Sequence, residues 1–331
     1  MNPLLLLCFL VSFLVTFFLI PPWIAIAHRI NLVGKDMNKY DKPKIAEMGG
    51  LIVNAGFLSG TLLYVGITTF IFGKSSHLLY ILATISTCLI IMIIGMIDDI
   101  LGWKLGLKQW QKPLLTLPAA LPMAAVNAGV SEMILPFFGS VDFGIFYPLL
   151  LVPMGIVGAA NGFNMLAGYN GLEAGMGVII LSTLGFIAWK TEQGYVAMLA
   201  FCMVFALLAF LFYNWYPAKI FPGDTLTYSV GALIACVAIL GNMEKYAVVL
   251  FLPYFADFVL PLRSRFKTEA FAKTNYDGSI DLPYDNIYDV THFAIYILKK
   301  IKKDVYEKDV VWFILSLELM LSILVMRWCI L

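Results

Sequence analysis

Three amides, two adjacent carboxylates, a further aspartate and several cations interrupt an otherwise apolar chain, and their chemistry suits a metal-bound diphosphate. Residues 158–175 read GAANGFNMLAGYNGLEAG, in which Asn161, Asn164 and Asn170 stand among five glycines at the end of a hydrophobic stretch. Asn161 and Asn164 are three apart and share a helix face, whereas Asn170 lies past the break at Gly168. Amide oxygens are hard ligands suited to Mg2+, and amide NH2 groups can read a nucleobase or a sugar; the plainer alternative is hydrogen bonding between helices. Asp98 and Asp99 close another apolar stretch in GMIDDILGWKLGLK. Neighbours on a helix point about 100° apart, so one carboxylate is expected to face the cavity and the other to support it. Lys108 supplies the interfacial cation that a pyrophosphate needs, although Lys104 and Lys108 also serve a reading of the pair as ordinary interfacial acids. At 221–225 the string FPGDT sets Asp224 at the start of a helix, as an N-cap or as a metal ligand. Phe221 beside it is placed to stack on a base or to pack in the core.

The elements that hold these groups are membrane helices. With 61% hydrophobic and 13% charged residues in 331, and a mean hydropathy of +0.88, the composition excludes a soluble domain. Apolar stretches long enough to cross about 30 Å of hydrocarbon fall near 3–27, 50–73, 77–97, 111–128, 144–161, 172–189, 195–213, 225–242, 246–262 and 309–329. The expected fold is therefore an all-α polytopic membrane protein of about ten transmembrane helices, forming one domain over 1–331. Pro113, Pro118, Pro122 and Pro148 can kink or shift the fourth and fifth spans. Alternating spans put 18 of the 22 Lys and Arg residues on one side, which the positive-inside rule makes cytoplasmic. Every polar cluster named above lies on that side, together with the EMGG string at 47–50 and the segment 263–308. A cytoplasmic-face active site follows, with 263–308 as a small loop domain and lid before the last helix; its NYDG sequence at 275–278 reads as a hairpin turn. The KKIKK run at 299–303 is expected to anchor the last span. The five cysteines sit in or at the ends of spans with no CxxC spacing, and are expected to pack rather than to pair or bind zinc. No nucleic-acid partner is expected; the partners are the bilayer and small substrates, and a homodimer is compatible with the sequence.

Four stretches in order, DMNKYDKPKIAEMGG at 36–50, IDDILGWKLGLK at 97–108, NGFNMLAGYNGLEAG at 161–175 and FPGDTLTY at 221–228, together with an arginine-bearing loop, identify a wider likeness. The chain resembles the eukaryotic and archaeal UDP-N-acetylglucosamine:dolichyl-phosphate N-acetylglucosamine-1-phosphate transferases, of the polyprenyl-phosphate sugar-1-phosphate transferase superfamily. The LAGYNGLE form tilts the likeness toward the dolichol branch over the bacterial enzymes that load muramyl-pentapeptide. What the resemblance implies is transfer of GlcNAc-1-phosphate from UDP-GlcNAc to dolichyl or another polyprenyl phosphate, with release of UMP. It also implies roles. Asn164 and Asp224 would hold Mg2+, and Asn170 would read the uracil with help from backbone near Met37 and Glu47 and from the ring of Phe221. Lys108 and Arg263 would meet the pyrophosphate, Arg265 the N-acetylated sugar, and Asp98 and Asp99 the catalytic acidic pair; Asn161 belongs to the substrate-binding amide face. Ser264 stands where the family's PRHR loop has histidine, and Gly102 where many relatives carry a polar residue. The compact length points to an archaeal cell membrane, or to the endoplasmic reticulum for a eukaryotic chain. A sister transferase using another UDP-sugar is the near alternative. A transporter or lipid flippase, resting on Glu318 in the middle of the last span, is the distant one.

Overall fold

The computed structural model describes residues 3–105, 110–135 and 139–330. Long apolar runs fold as α1 (Pro3–Arg29), α2 (Gly49–Phe70), α3 (Leu78–Leu105), α6 (Val152–Met165), α7 (Leu172–Lys190), α8 (Gly194–Asn214) and α13 (Glu307–Ile330), α1 continuing through Pro21 and Pro22. Among the described residues seven helical segments are long and apolar enough to cross a membrane, or eight if α10 (Glu244–Leu250) and α11 (Leu252–Leu262), bent by 53° at Phe251, form one span. Pro253 in the first turn of α11 lacks the N–H that would continue α10.

Besides that bent pair, two of the ten expected spans lack an unbroken helix of 18 or more residues, for different reasons. Stretch 111–128 breaks into α4 (Gln111–Thr116), a 3-10 turn at Leu117–Ala120 and α5 (Leu121–Ala125), because Pro113, Pro118 and Pro122 interrupt the hydrogen-bond ladder. The other, α9 (Asp224–Leu240), is a core helix of 17 residues in which every residue from Thr225 to Ile239 is buried. It packs against α2, α3, α6, α7, α8 and α10.

Missing side chains let the backbones close on α9. A Cβ on Gly95 of α3 would lie 2.6 Å from the carbonyl oxygen of Asp224, and one on Gly231 would lie 2.5 Å from that of Ala159 in α6. The N-terminus of α9 is thereby gripped at the place where the polar strings converge.

Three antiparallel ribbons complete the fold: β1 (Val33–Lys35) with β2 (Lys44–Ala46), β3 (Glu132–Leu135) with β4 (Gly139–Asp142), and β5 (Lys273–Thr274) with β6 (Ile280–Asp281). The last is the hairpin of segment 263–308. It is followed by α12 (Val290–Ile301), which Asp289 caps by accepting the Thr291 N–H and which buries Val290, Thr291, His292, Ala294 and Ile295. Cys8, Cys88, Cys202 and Cys236 are buried and unpaired.

Candidate active site

Asp224 is the first residue of α9, behind an N-cap Gly223 at φ 70° and ψ 169°. That left-handed φ suits glycine, and a Cβ there would also meet Asp99 Oδ2 at 2.5 Å. The cap is supplied from another helix. Asp99 of α3 accepts the N–H of Asp224 at 2.7 Å and that of Thr225 at 3.0 Å, so its carboxylate satisfies the open end of α9 and complements the helix dipole. Asp98 points to a cation: Lys112 Nζ lies 2.9 Å from Asp98 Oδ2 and 3.1 Å from Asp224 Oδ2. One acid of the pair supports the site and the other faces it.

Lys108 lies outside the described residues. Lys112 does not stand out in the sequence, where it is the next lysine along and precedes a proline; the signal that could have found it is the short helix α4, which turns its ammonium back onto the acids. One turn into α9, the Thr227 hydroxyl donates to Asn164 Oδ1 at 2.6 Å, which brings Asn164 beside Asp224. Asn161 donates to Thr116 Oγ1 at 2.9 Å and to the Val157 carbonyl at 2.8 Å, tying α6 to the helix that carries Lys112.

The EMGG and FPGDT strings run side by side. Phe221 N–H donates to the Ala46 carbonyl at 2.7 Å, and Gly49 and Gly50 donate to the carbonyls of Phe221 and Pro222, both at 2.9 Å. Trp23 Nε1 holds the Glu47 carbonyl at 3.0 Å, while the Glu47 carboxylate fills the space that a side chain at Gly34 would need. Burial, reinforced by the charge of Asp224, pushes Glu47 from an ordinary 4.5 up to about 7. Its proton is thus held more tightly in the fold than in the unfolded chain. That contribution to stability is full below the unfolded pKa and is lost as pH rises through about 7. In metal-free buffer, Glu47→Gln should therefore gain melting temperature over wild type as pH goes from about 5 to 8, by about 2–4 °C. A constant difference across that range would show that Glu47 does not titrate there.

A second polar cluster surrounds Asn170. Its backbone N–H donates to Glu307 Oε1 at 2.7 Å and its amide to Asp36 Oδ2 at 3.0 Å, while Lys39 pairs with Asp36 at 3.1 Å and with Glu307. Asn38 spans from the Gly168 carbonyl, at 2.8 Å, to the N–H of Ala272, at 3.0 Å, which fastens segment 270–272 to the glycine elbow. Met37 lies half-buried between these residues. The ribbon of β1 and β2 links the two clusters, with Asp36 at one end and Ala46 paired to Val33 at the other, about 10 Å apart at ~3.3 Å per residue. Arg263 and Arg265 are exposed just past α11, and among the described residues neither side chain makes a hydrogen bond or ion pair; the Ser264 hydroxyl turns back to the Pro261 carbonyl at 2.9 Å.

An apolar cavity of about 330 Å³ opens between α6, α9, α10 and α11, lined by Gly155, Gly158, Ala238, Val248, Phe251 and Phe255 among others. Gly155 and Gly158 face open space, so their lack of side chains keeps it wide. They sit about one to two and a half turns before Asn161 and Asn164 on α6. Glu318 is fully buried in α13.

Residues 80–242 match the profile of a family described as glycosyl transferase family 4, a range that contains Asp98, Lys112, Asn164, Asn170 and Asp224. The chain is 38% identical over 279 residues, 83% of each sequence, to a protein of Saccharolobus solfataricus provisionally named UDP-N-acetylglucosamine–dolichyl-phosphate N-acetylglucosaminephosphotransferase. It is 29% identical to the Dictyostelium discoideum protein of that name, over 74% of this chain and 68% of that one. It is also 33% identical to the phospho-N-acetylmuramoyl-pentapeptide-transferase of Halalkalibacterium halodurans, over 74% and 78% of the two chains.

Proposed function

This chain belongs to glycosyl transferase family 4, and from that premise we propose that it transfers GlcNAc-1-phosphate from UDP-GlcNAc to dolichyl phosphate, releasing UMP. The product is GlcNAc-pyrophosphoryl-dolichol. The observation that carries this reading is the Asp98–Lys112–Asp224 cluster at the head of α9, a set of charges suited to a diphosphate; α6 and α9 also line the apolar cavity, whose first α9 residue, Ile234, lies about 15 Å along the helix from Asp224.

In the reaction a phosphate oxygen of the lipid attacks the β-phosphorus of the nucleotide, and the bond from that phosphorus to the bridging oxygen breaks as UMP leaves. The second pKa of a phosphate is about 6, so the nucleophile is largely ionised at neutral pH and no general base is required. The residues act by position and charge. Lys112 exchanges carboxylate partners for diphosphate oxygens and balances the charge that builds on the leaving phosphate. Asp98 aims that ammonium, and Asp99 fixes the first turn of α9 and with it Asp224. Arg263 and Arg265 reach the diphosphate and the sugar from the loop, and Phe221 and Asn170 hold the base.

The donor set suits Mg2+, which prefers hard oxygen ligands and takes one or two carboxylates along with water and substrate phosphates. Asp224 and the Asn164 amide oxygen would hold it, and a lysine already bridges two of the carboxylates there. Among the described residues no three His, Cys, Asp or Glu side chains are arranged to hold one metal ion together. When bound, the ion would supply electrostatic stabilisation of the transferring phosphoryl group. By the positive-inside count the site faces the cytoplasm, in the cell membrane of an archaeal cell.

Purified protein given dolichyl phosphate, Mg2+ and a panel of UDP-sugars should release UMP fastest from UDP-GlcNAc, and only with the acceptor present. Acceptor-independent release, or a faster reaction with another sugar, would overturn the assignment.

A further inference from the structure

Asn170 sits in a closed ring of polar contacts that allows its amide one orientation. The ring runs from the Asn170 amide to Asp36, from Asp36 to Lys39, from Lys39 to Glu307, and from Glu307 to the Asn170 backbone N–H. Asp36 and Glu307 are 4% and 2% exposed, and the Lys39 ammonium lies between them as their shared counter-ion. A carboxylate paired in this way only accepts hydrogen bonds. The NH2 of Asn170 must therefore face Asp36, since the flipped amide would set two oxygens against each other at 3.0 Å. Its Oδ1 points the other way and accepts no hydrogen bond among the described residues. What Asn170 offers a ligand is an acceptor alone.

The Watson–Crick edge of uracil carries one donor, the imide N3–H, between two carbonyl oxygens. Cytosine carries a lone pair at N3. An acceptor aimed at that atom pairs with the first and opposes the second, and a site built around a hydrogen bond rejects the analogue that cannot make it. We propose that Asp36 is a positioning residue for nucleobase choice: by claiming the NH2 of Asn170 it presents Oδ1 to the N3–H of a uracil base and excludes bases with an acceptor there. This rests on the reading of Asn170 as the base-contacting residue.

The test is inhibition of the full-length enzyme by UMP and by CMP, in Mg2+, for wild type, Asp36→Asn, Asp36→Glu, Asn170→Ala and the exchanged pair D36N/N170D. In Asp36→Asn the new amide can face Asn170 with either end, so this variant should narrow the UMP preference about tenfold, by weakening UMP and admitting CMP. Asp36→Glu should keep the preference. In the exchanged pair the amide at position 36 donates to one oxygen of the carboxylate at position 170 and leaves the other as an outward acceptor, so the preference should return. A loosened loop would instead weaken both nucleotides by the same factor, and that result overturns the proposal. If Asn170→Ala narrows the preference and Asp36→Asn does not, Asp36 has no such role although Asn170 reads the base. If Asn170→Ala leaves the ratio unchanged, the reading of Asn170 fails and the proposal with it. Should Asp36→Asn fail to fold, Asp36→Ala takes its place with the same readout.

Discussion

Asp224→Asn should lower turnover about a thousandfold or more, a loss of about 4 kcal/mol in transition-state stabilisation, and should still give a folded protein. The first half follows from charge: asparagine keeps the shape of the side chain but removes the anionic oxygen that faces Lys112 and would bind a hard cation. The second half follows from the cap. The open N–H groups of α9 are satisfied by Asp99, at 2.7 and 3.0 Å, and not by Asp224 itself. The variant therefore keeps its helix start. The check is single-turnover activity in Mg2+ alongside a melting curve in detergent. Activity within tenfold of wild type, or wild-type rates in excess chelator, would remove Asp224 from the metal.

Lys112→Met should cost about two to three orders of magnitude in turnover while changing inhibition by UMP less than about threefold. On the proposed mechanism the ammonium meets the diphosphate, and UMP lacks the β-phosphate. Methionine keeps the apolar stem but leaves Asp98 and Asp224 without the cation that lies 2.9 and 3.1 Å from them. Their repulsion raises the free energy of the metal-free fold, so added Mg2+ should raise the melting temperature more in the variant than in wild type. Equal Mg2+ responses together with a large loss of UMP affinity would make Lys112 part of the nucleoside site.

Much of this site was legible because polar residues are conspicuous in an apolar chain. Asp98, Asp99, Asn161, Asn164 and Asp224 announce themselves at helix ends, and the structure gathers them at the head of α9. What could not be read locally are partners far apart in the chain. Asn170 meets Asp36 and Glu307 across 134 and 137 residues, and no periodicity encodes such a contact. Asp99 as the cap of α9 was hidden for the same reason, because a cap is sought just before the helix it serves. Lys112 was masked by its setting, since a lysine at the edge of an apolar stretch usually marks only the membrane boundary. Hydropathy also reads α9 and the stretch 111–128 as ordinary lipid-facing helices, since it sees composition but not that α9 is surrounded by protein or that 111–128 is broken by proline. Arg263 and Arg265, which stand exposed and unpaired among the described residues, remain assigned through the loop's likeness to its relatives.

The cavity between α6 and α11 opens beside half-exposed apolar side chains of α11, Phe255, Phe258 and Val259 among them, a surface of the kind a bilayer covers. On the proposed function, a prenyl acceptor that enters there stays in the bilayer throughout. Its encounter with the nucleotide is a search in two dimensions, governed by its mole fraction among the surrounding lipids and by lateral diffusion, while the nucleotide arrives from a volume of water. The two substrates of one reaction are thus counted in different units, and diluting the membrane with inert lipid slows the enzyme at constant bulk concentration of every reactant.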